Sequence, residues 1–291
     1  MTPESPLSPE LLVATVRELP ALPAVVLELM EMLAREGVAA DSVAAKIAQD
    51  QALTAKTLRL ANSSFYGMPR TVSRVSDAMA VLGLRTVRTV VVTAAVTGSF
   101  SPPRCQGFDF AAFWRHAIGT AVCARLLATR LNVDPEAAFT AGLLHDLGHL
   151  VRASCFPRPF ADVLRRQRAQ DMPALEAERA LLGMDHTTVG GLMAEHWRFS
   201  PSVVKAIRHH HAPDGEGGGD GEGQAGDASL CRLVHVADNI VHALDVAPTE
   251  GDAVPPLSTD AWLHMGLDAA QCRKVFEHTE RQTDAVCEAL V

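Results

Sequence analysis

Twelve histidines stand in this chain of 291 residues, and the informative ones keep company with carboxylates. In GLLHDLGH, His145 is followed directly by Asp146 within a run of Leu and Gly. An imidazole and a carboxylate in apolar surroundings are costly unless paired or coordinated. The chemistry that suits them is metal ligation: His145 offers a neutral ring nitrogen, and the two oxygens of Asp146 can reach two ions. FWRHAIGTA, MDHTTVGG and VHVADNIVHA carry His116, His186 and Asp238, and AIRHHHAPDG carries His209, His210 and His211. His196, His235, His242, His264 and His278 show no partner spacing and read as structural or surface histidines. Trp114 and Trp197 read as core. NSSFYG around Tyr66 reads as a turn, because no His-Asp pair accompanies Ser63 or Ser64 at a nucleophile elbow.

The elements that must position these side chains are helices. Apolar residues recur at three- and four-residue intervals through most of the chain, and no strand pattern of period two has convincing length. The fold class is therefore all-α. LPALP (Leu19 to Pro23) predicts a turn between two helices, with Pro at a first helical position. Asp41 and Asp50 open further helices, and Gly83 parts two more. Asp134-Pro135-Glu136 is a cap followed by Pro, opening one helix that would run through AAFTAGLLHDLGHLV and hold the His145-Asp146 pair within it. SFSPPRCQGFDF, from Ser99 to Phe110, has the composition of a connector, dividing residues 1–104 from 105–291. The acidic Gly-rich run at 214–229 cannot bury a core and reads as a mobile loop.

The first-half motifs LPALP, DQALTAKTLRLANSSFYG and SDAMAVLGLRTVRTVV, followed by GLLHDLGH, resemble the HDOD family of HD-related output domains over roughly residues 19 to 213. GLLHDLGH also resembles the signature of the HD superfamily of metal-dependent phosphohydrolases. The resemblance implies an N-terminal helical bundle packed on an HD-type helical domain. It further implies a metal-ligand set of His116, His145, Asp146, His186, His210, His211 and Asp238, with His209 an alternative neighbour. One or two divalent ions would sit there, with Fe, Mn, Ni and Zn not distinguished.

Two departures from the related HD-GYP phosphodiesterases bear on activity. His149 stands where those enzymes carry Lys, and their GYP loop is absent. The acidic run beginning at Asp214 takes its place and would repel a phosphodiester. Arg115 and Arg208 are the nearest arginines in sequence, and no spacing aims them at the site. Two functions follow from the resemblance. One is a bacterial signal-transduction module that regulates or binds protein partners, with no catalytic residue assigned. The alternative is a metal-dependent phosphohydrolase acting on a cyclic nucleotide or dinucleotide, with a phosphate-containing ligand.

Composition narrows the rest. A net charge of −8 argues against a broad nucleic-acid surface, which needs a local excess of Lys and Arg. The six cysteines have no CxxC spacing and read as packed thiols. No uninterrupted apolar run of about 18 residues occurs and no signal peptide is evident, so no membrane span is expected and a cytoplasmic location is.

Overall fold

The computed structural model describes residues 8–35, 37–63, 66, 68–170, 172–215, 225–247 and 254–290. Among them lie fifteen helices and no strand. The N-terminal block holds α1 (Pro9–Glu18), α2 (Ala24–Ala34), α3 (Ala40–Ile47), α4 (Gln51–Ala61) and α5 (Val75–Gly98). After the connector come α6 (Phe110–Leu131), α7 (Pro135–Leu144), α8 (Leu147–Cys155), α9 (Pro157–Gln170), α10 (Ala174–Leu182), α11 (His186–His196) and α12 (Pro201–His209). The chain closes with α13 (Ala225–Ala243), α14 (Thr259–His264) and α15 (Ala269–Leu290). The Gly-rich run at 214–229, expected to be a mobile loop, lies from 216 to 224 outside the described residues, and its last part is helical instead, since α13 begins at Ala225.

Polar caps set the helix starts. The Asp50 carboxylate accepts the amide of Leu53 at 2.9 Å, and Asp109 accepts those of Ala111 and Ala112 at 2.9 Å each. Asp134 accepts from Glu136 at 2.9 Å, with Pro135 in the first turn as expected. Each such cap stabilises its helix by about 1 kcal/mol. Gly83, at φ 74°, takes a backbone conformation that L side chains rarely adopt, and α5 kinks there. Pro23 turns out to be the residue before α2 rather than its first, and α3 begins at Ala40, with Asp41 in its first turn.

One expectation is corrected where it matters most. GLLHDLGHLV is not one helix: α7 ends at Leu144, Asp146 leaves helical geometry at φ −100° and ψ 11°, and α8 starts at Leu147. In an unbroken helix neighbouring residues point about 100° apart. The break lets the two side chains turn to the same place. Beside it, Gly148 rides directly on α11, where a Cβ would stand 2.0 Å from the His186 carbonyl oxygen. Gly142 likewise lies on α6, a Cβ there falling 2.8 Å from the Ala121 Cα.

One apolar core runs through both halves, from Leu12, Leu29 and Ile47 to Ile118, Val234 and Leu290. The final helix α15 packs on α6 and reaches back to α4, where Lys56 donates to the Leu290 carbonyl and to Thr97 Oγ1. LPALP seats on the end of α11: the Trp197 indole donates to the Pro20 carbonyl at 3.1 Å, and the His196 ring to that of Leu19 at 2.9 Å. Helix α5 is long and apolar enough to cross a bilayer, but Val87, Val90, Val91 and Val92 are buried in this core.

The contact at Gly148 gives a direct test. Backbone stands on both sides, so Gly148→Ala must push α8 from α11; overpacking of this kind costs about 1–3 kcal/mol or more. Gly98→Ala, where nothing lies within 4 Å, should leave the thermal midpoint level or slightly raised. Equal midpoints for the two variants would refute the close approach.

Candidate metal centre

The break between α7 and α8 projects His145 and Asp146 into a cluster fed by α6, α11, α12 and α13. Asp146 Oδ2 lies 3.2 Å from His145 Nε2 and 3.7 Å from His116 Nε2. Its other oxygen, Oδ1, lies 3.3 Å from His186 Nε2 and 3.7 Å from His210 Nε2. On the first side, Asp238 Oδ1 stands 3.0 Å from His116 Nε2 and 3.5 Å from His145 Nε2. On the second, His186 Nε2 is 3.0 Å from His211 Nε2 and 3.5 Å from His210 Nε2. All seven side chains named from the sequence are thus brought together, with Asp146 between two groups. His209 is not among them; its ring shares a surface hollow with Lys205 and Arg208.

Local bonding fixes which nitrogens face inward. The His145 Nδ1–H donates to the Gly142 carbonyl at 2.7 Å, and the His210 Nδ1–H to that of Ile207 at 2.8 Å. The His186 Nδ1–H donates to Glu178 Oε2 at 3.0 Å, and the same oxygen accepts the His186 amide at 2.8 Å. In their neutral forms these rings then present only lone pairs at Nε2. Between His186 and His210 two such lone pairs face each other at 3.5 Å and repel unless positive charge lies between them. Asp238 Oδ1, buried, has no aligned hydrogen bond although imidazole nitrogens surround it. With bonds of about 2.0–2.2 Å, neighbouring ligand atoms around one ion sit about 3.0 Å apart in octahedral and about 3.4 Å apart in tetrahedral geometry. The spacings on both sides of Asp146 fall close to that range, so the donor set fits divalent cations.

Three contributors were not legible as such in the sequence. Glu178, fully buried, holds His186 and is itself gripped by the fully buried Arg152 at 3.0 Å. His149, in the place of the HD-GYP Lys, stacks on the His186 ring at 4.1 Å, its Nδ1 3.4 Å from Glu178 Oε1. His242 lies with Nε2 3.3 Å from Asp238 Oδ1; the four-residue spacing between them was the signal that could have found it. His235 is structural as expected, donating from Nδ1 to the His210 carbonyl at 2.7 Å and accepting the Ser258 amide. The two arginines nearest in sequence are engaged elsewhere, Arg208 with Glu195 and Arg115 with Asp284 and the Val246 carbonyl. Asp214, opening the acidic run, is held by Arg232 and Ser258.

Without metal, protons must supply the positive charge. Burial opposes charge on His145, but Asp146 and Asp238 outweigh it and hold its pKa well above the ordinary value. His186 is raised in the same way, against burial, by Glu178 and Asp146. Burial pushes His149 down to about 3 and His211 to about 4, each aided by the nearby His186 charge. Burial and the neighbouring rings push His210 well below its usual range. Despite burial, Glu178 falls to about 2, through His186 and Arg152.

The signs of these shifts set a pH optimum for the metal-free protein. Below the unfolded histidine value of 6.5, the unfolded chain takes up protons at His149, His210 and His211 that the folded chain refuses. Stability is lost as pH falls through this window. Above 6.5, the folded chain releases protons from His145 and His186, and their contribution is lost as pH rises through the raised values. The thermal midpoint of the metal-free protein should peak near pH 6.5; one that stays level or climbs between pH 6.5 and 4 would contradict the assignment.

A family model for the HDOD domain matches residues 19–213. An uncharacterised protein of Treponema pallidum (strain Nichols) is 27% identical over 199 residues, which is 67% of this chain; the match spans only 38% of that relative's length. A crystal structure from Shewanella amazonensis SB2B, provisionally named a phosphohydrolase, is 29% identical with a TM-score of 0.76, covering 96% of this chain and 98% of that one. Another from Marinobacter aquaeolei VT8, provisionally named a signal transduction protein, is 25% identical with a TM-score of 0.78, covering 94% of this chain and 60% of that one. With two thirds of its length matched by the family model and the same helical fold in these neighbours, the chain belongs to the HDOD domain family.

Proposed function

We propose that this protein is a cytoplasmic bacterial signal-transduction module that regulates or binds signalling partners, and that His116, His145, Asp146, His186, His210, His211 and Asp238 hold one or two divalent metal ions. The observation that carries the metal reading is the position of Asp146, one oxygen facing His145 and the other His186. A bound divalent ion supplies positive charge and Lewis acidity there. His145, His186 and His210 keep their protons on Nδ1 and so aim Nε2 inward. Glu178 holds the His186 ring, and Arg152 holds Glu178.

The signalling reading rests on helix α11. His186 begins it; His196 and Trp197, at its other end, bond to the LPALP carbonyls. A rearrangement of ligands around His186 therefore acts on the N-terminal block through one short, packed helix. The name of the Marinobacter relative points the same way.

A second reading, hydrolysis of a phosphodiester, is favoured by the same placement of Asp146 between two candidate positions and by the name of the Shewanella relative. Transition states at phosphorus also need cationic groups beyond metals. Here Arg152, Arg115 and Arg208 are bound up in other contacts, and burial keeps His149 neutral at ordinary pH.

Elemental analysis of the purified protein, with and without Asp146→Ala, tests both readings. The wild type should carry divalent metal, and the variant should lose metal and thermal stability together, because ligand binding to the folded state adds to folding free energy. Turnover of cyclic nucleotides and dinucleotides with added Mn or Fe should be slow at most. Robust metal-dependent hydrolysis that Asp146→Ala abolishes without loss of fold would establish the enzyme reading instead.

A further inference from the structure

Asp238 Oδ1 is the focus of three imidazoles rather than two. Besides His116 at 3.0 Å and His145 at 3.5 Å, His242 brings its Nε2 to 3.3 Å. Asp238 and His242 stand one turn apart on α13, so both project from the same face. The His242 ring packs on that of His116 with centroids 4.5 Å apart, and the ligand atoms of His116, Asp238 and His242 all fall within 4.8 Å of one another. The 3.3 Å separation matches neighbouring ligand atoms about 3.0–3.4 Å apart around one ion with bonds of about 2.0–2.2 Å.

We propose that His242 is a further protein ligand, through Nε2, at a cation position that it shares with His116 and Asp238. This rests on the metal reading above. His242, like Asp238, lies beyond residue 213, where the family match ends. The His116, Asp238 and His242 ligand atoms form a group apart from that of Asp146, His186, His210 and His211, so the two positions draw on different donors.

The test uses the full chain stripped of metal and reloaded with Co(II). Anomalous scattering from a loaded crystal should place a cobalt within about 2.0–2.3 Å of His242 Nε2. In solution, His242→Ala and His242→Gln should each weaken the affinity of one of two bound cobalt ions by about tenfold or more. Both should also lower the thermal midpoint of the loaded protein while leaving that of the metal-free protein nearly unchanged. Cobalt bound by His116 and Asp238 with His242 beyond bonding distance overturns this proposal and leaves the metal reading intact. Equal destabilisation of the metal-free and loaded forms also overturns it, since that marks a structural partner of Asp238. A wild type that binds no cobalt removes the metal reading and this inference with it.

Discussion

Imidazoles whose Nδ1 protons are already committed to carbonyls or carboxylates can offer only lone pairs at Nε2. When several such rings converge with two buried carboxylates, positive charge must come to the middle. The C-terminal half of this protein is arranged around that constraint. Five helices or helix junctions supply the donors, and local bonds orient three of them: the Gly142 and Ile207 carbonyls hold His145 and His210, and the Glu178 carboxylate holds His186. Protons on His145 and His186 meet the need in the metal-free state, and on the proposed metal reading a divalent ion would displace them, so that proton and metal would compete for one set of nitrogens.

Holding the rings in place needs a rigid shell, and an unusual part of it is ionic. Arg152 and Glu178 are both fully buried. A buried pair returns its desolvation cost only with good geometry and further hydrogen bonds, and breaking one costs about 3–5 kcal/mol. Glu178 has those further bonds, from the His186 amide and ring. The pair therefore makes its largest contribution when His186 is in position, so the packing of α8, α10 and α11 and the alignment of His186 support each other. Gly148 works to the same end by letting α8 touch the backbone at His186.

Much of this was legible in the sequence, and the parts that were not share a cause. Caps such as Asp50 and Asp134, the kink at Gly83 and the all-helical class follow from local chemistry, which a sequence carries explicitly. His145 and Asp146 stood out because two polar groups in a Leu and Gly run need a reason. The helix break between them did not, since that run suits a helix; the break belongs to the close approach of α8 and α11, a tertiary contact. Glu178 and Arg152 likewise became partners only through folding, 26 residues apart along the chain. His242 is different. Its four-residue spacing from Asp238 is visible in the sequence, but the ligand set that the resemblance implies stops at Asp238.

What the centre does for the protein turns on where its surroundings lead. A hydrolytic site should open towards cationic groups that receive a phosphate. Here the named arginines face Glu178, Glu195 and Asp284, and the His149 ring lies stacked on His186, held neutral by burial. The ligands are better connected to the fold than to solvent: His186 to α11 and through it to LPALP, and His116 to α6, on which α15 packs before reaching Lys56 in the N-terminal block. Two routes of packed helix thus join the proposed metal-binding residues to the first hundred residues. On the proposed signalling reading, this wiring would let occupancy of the centre act on the N-terminal block.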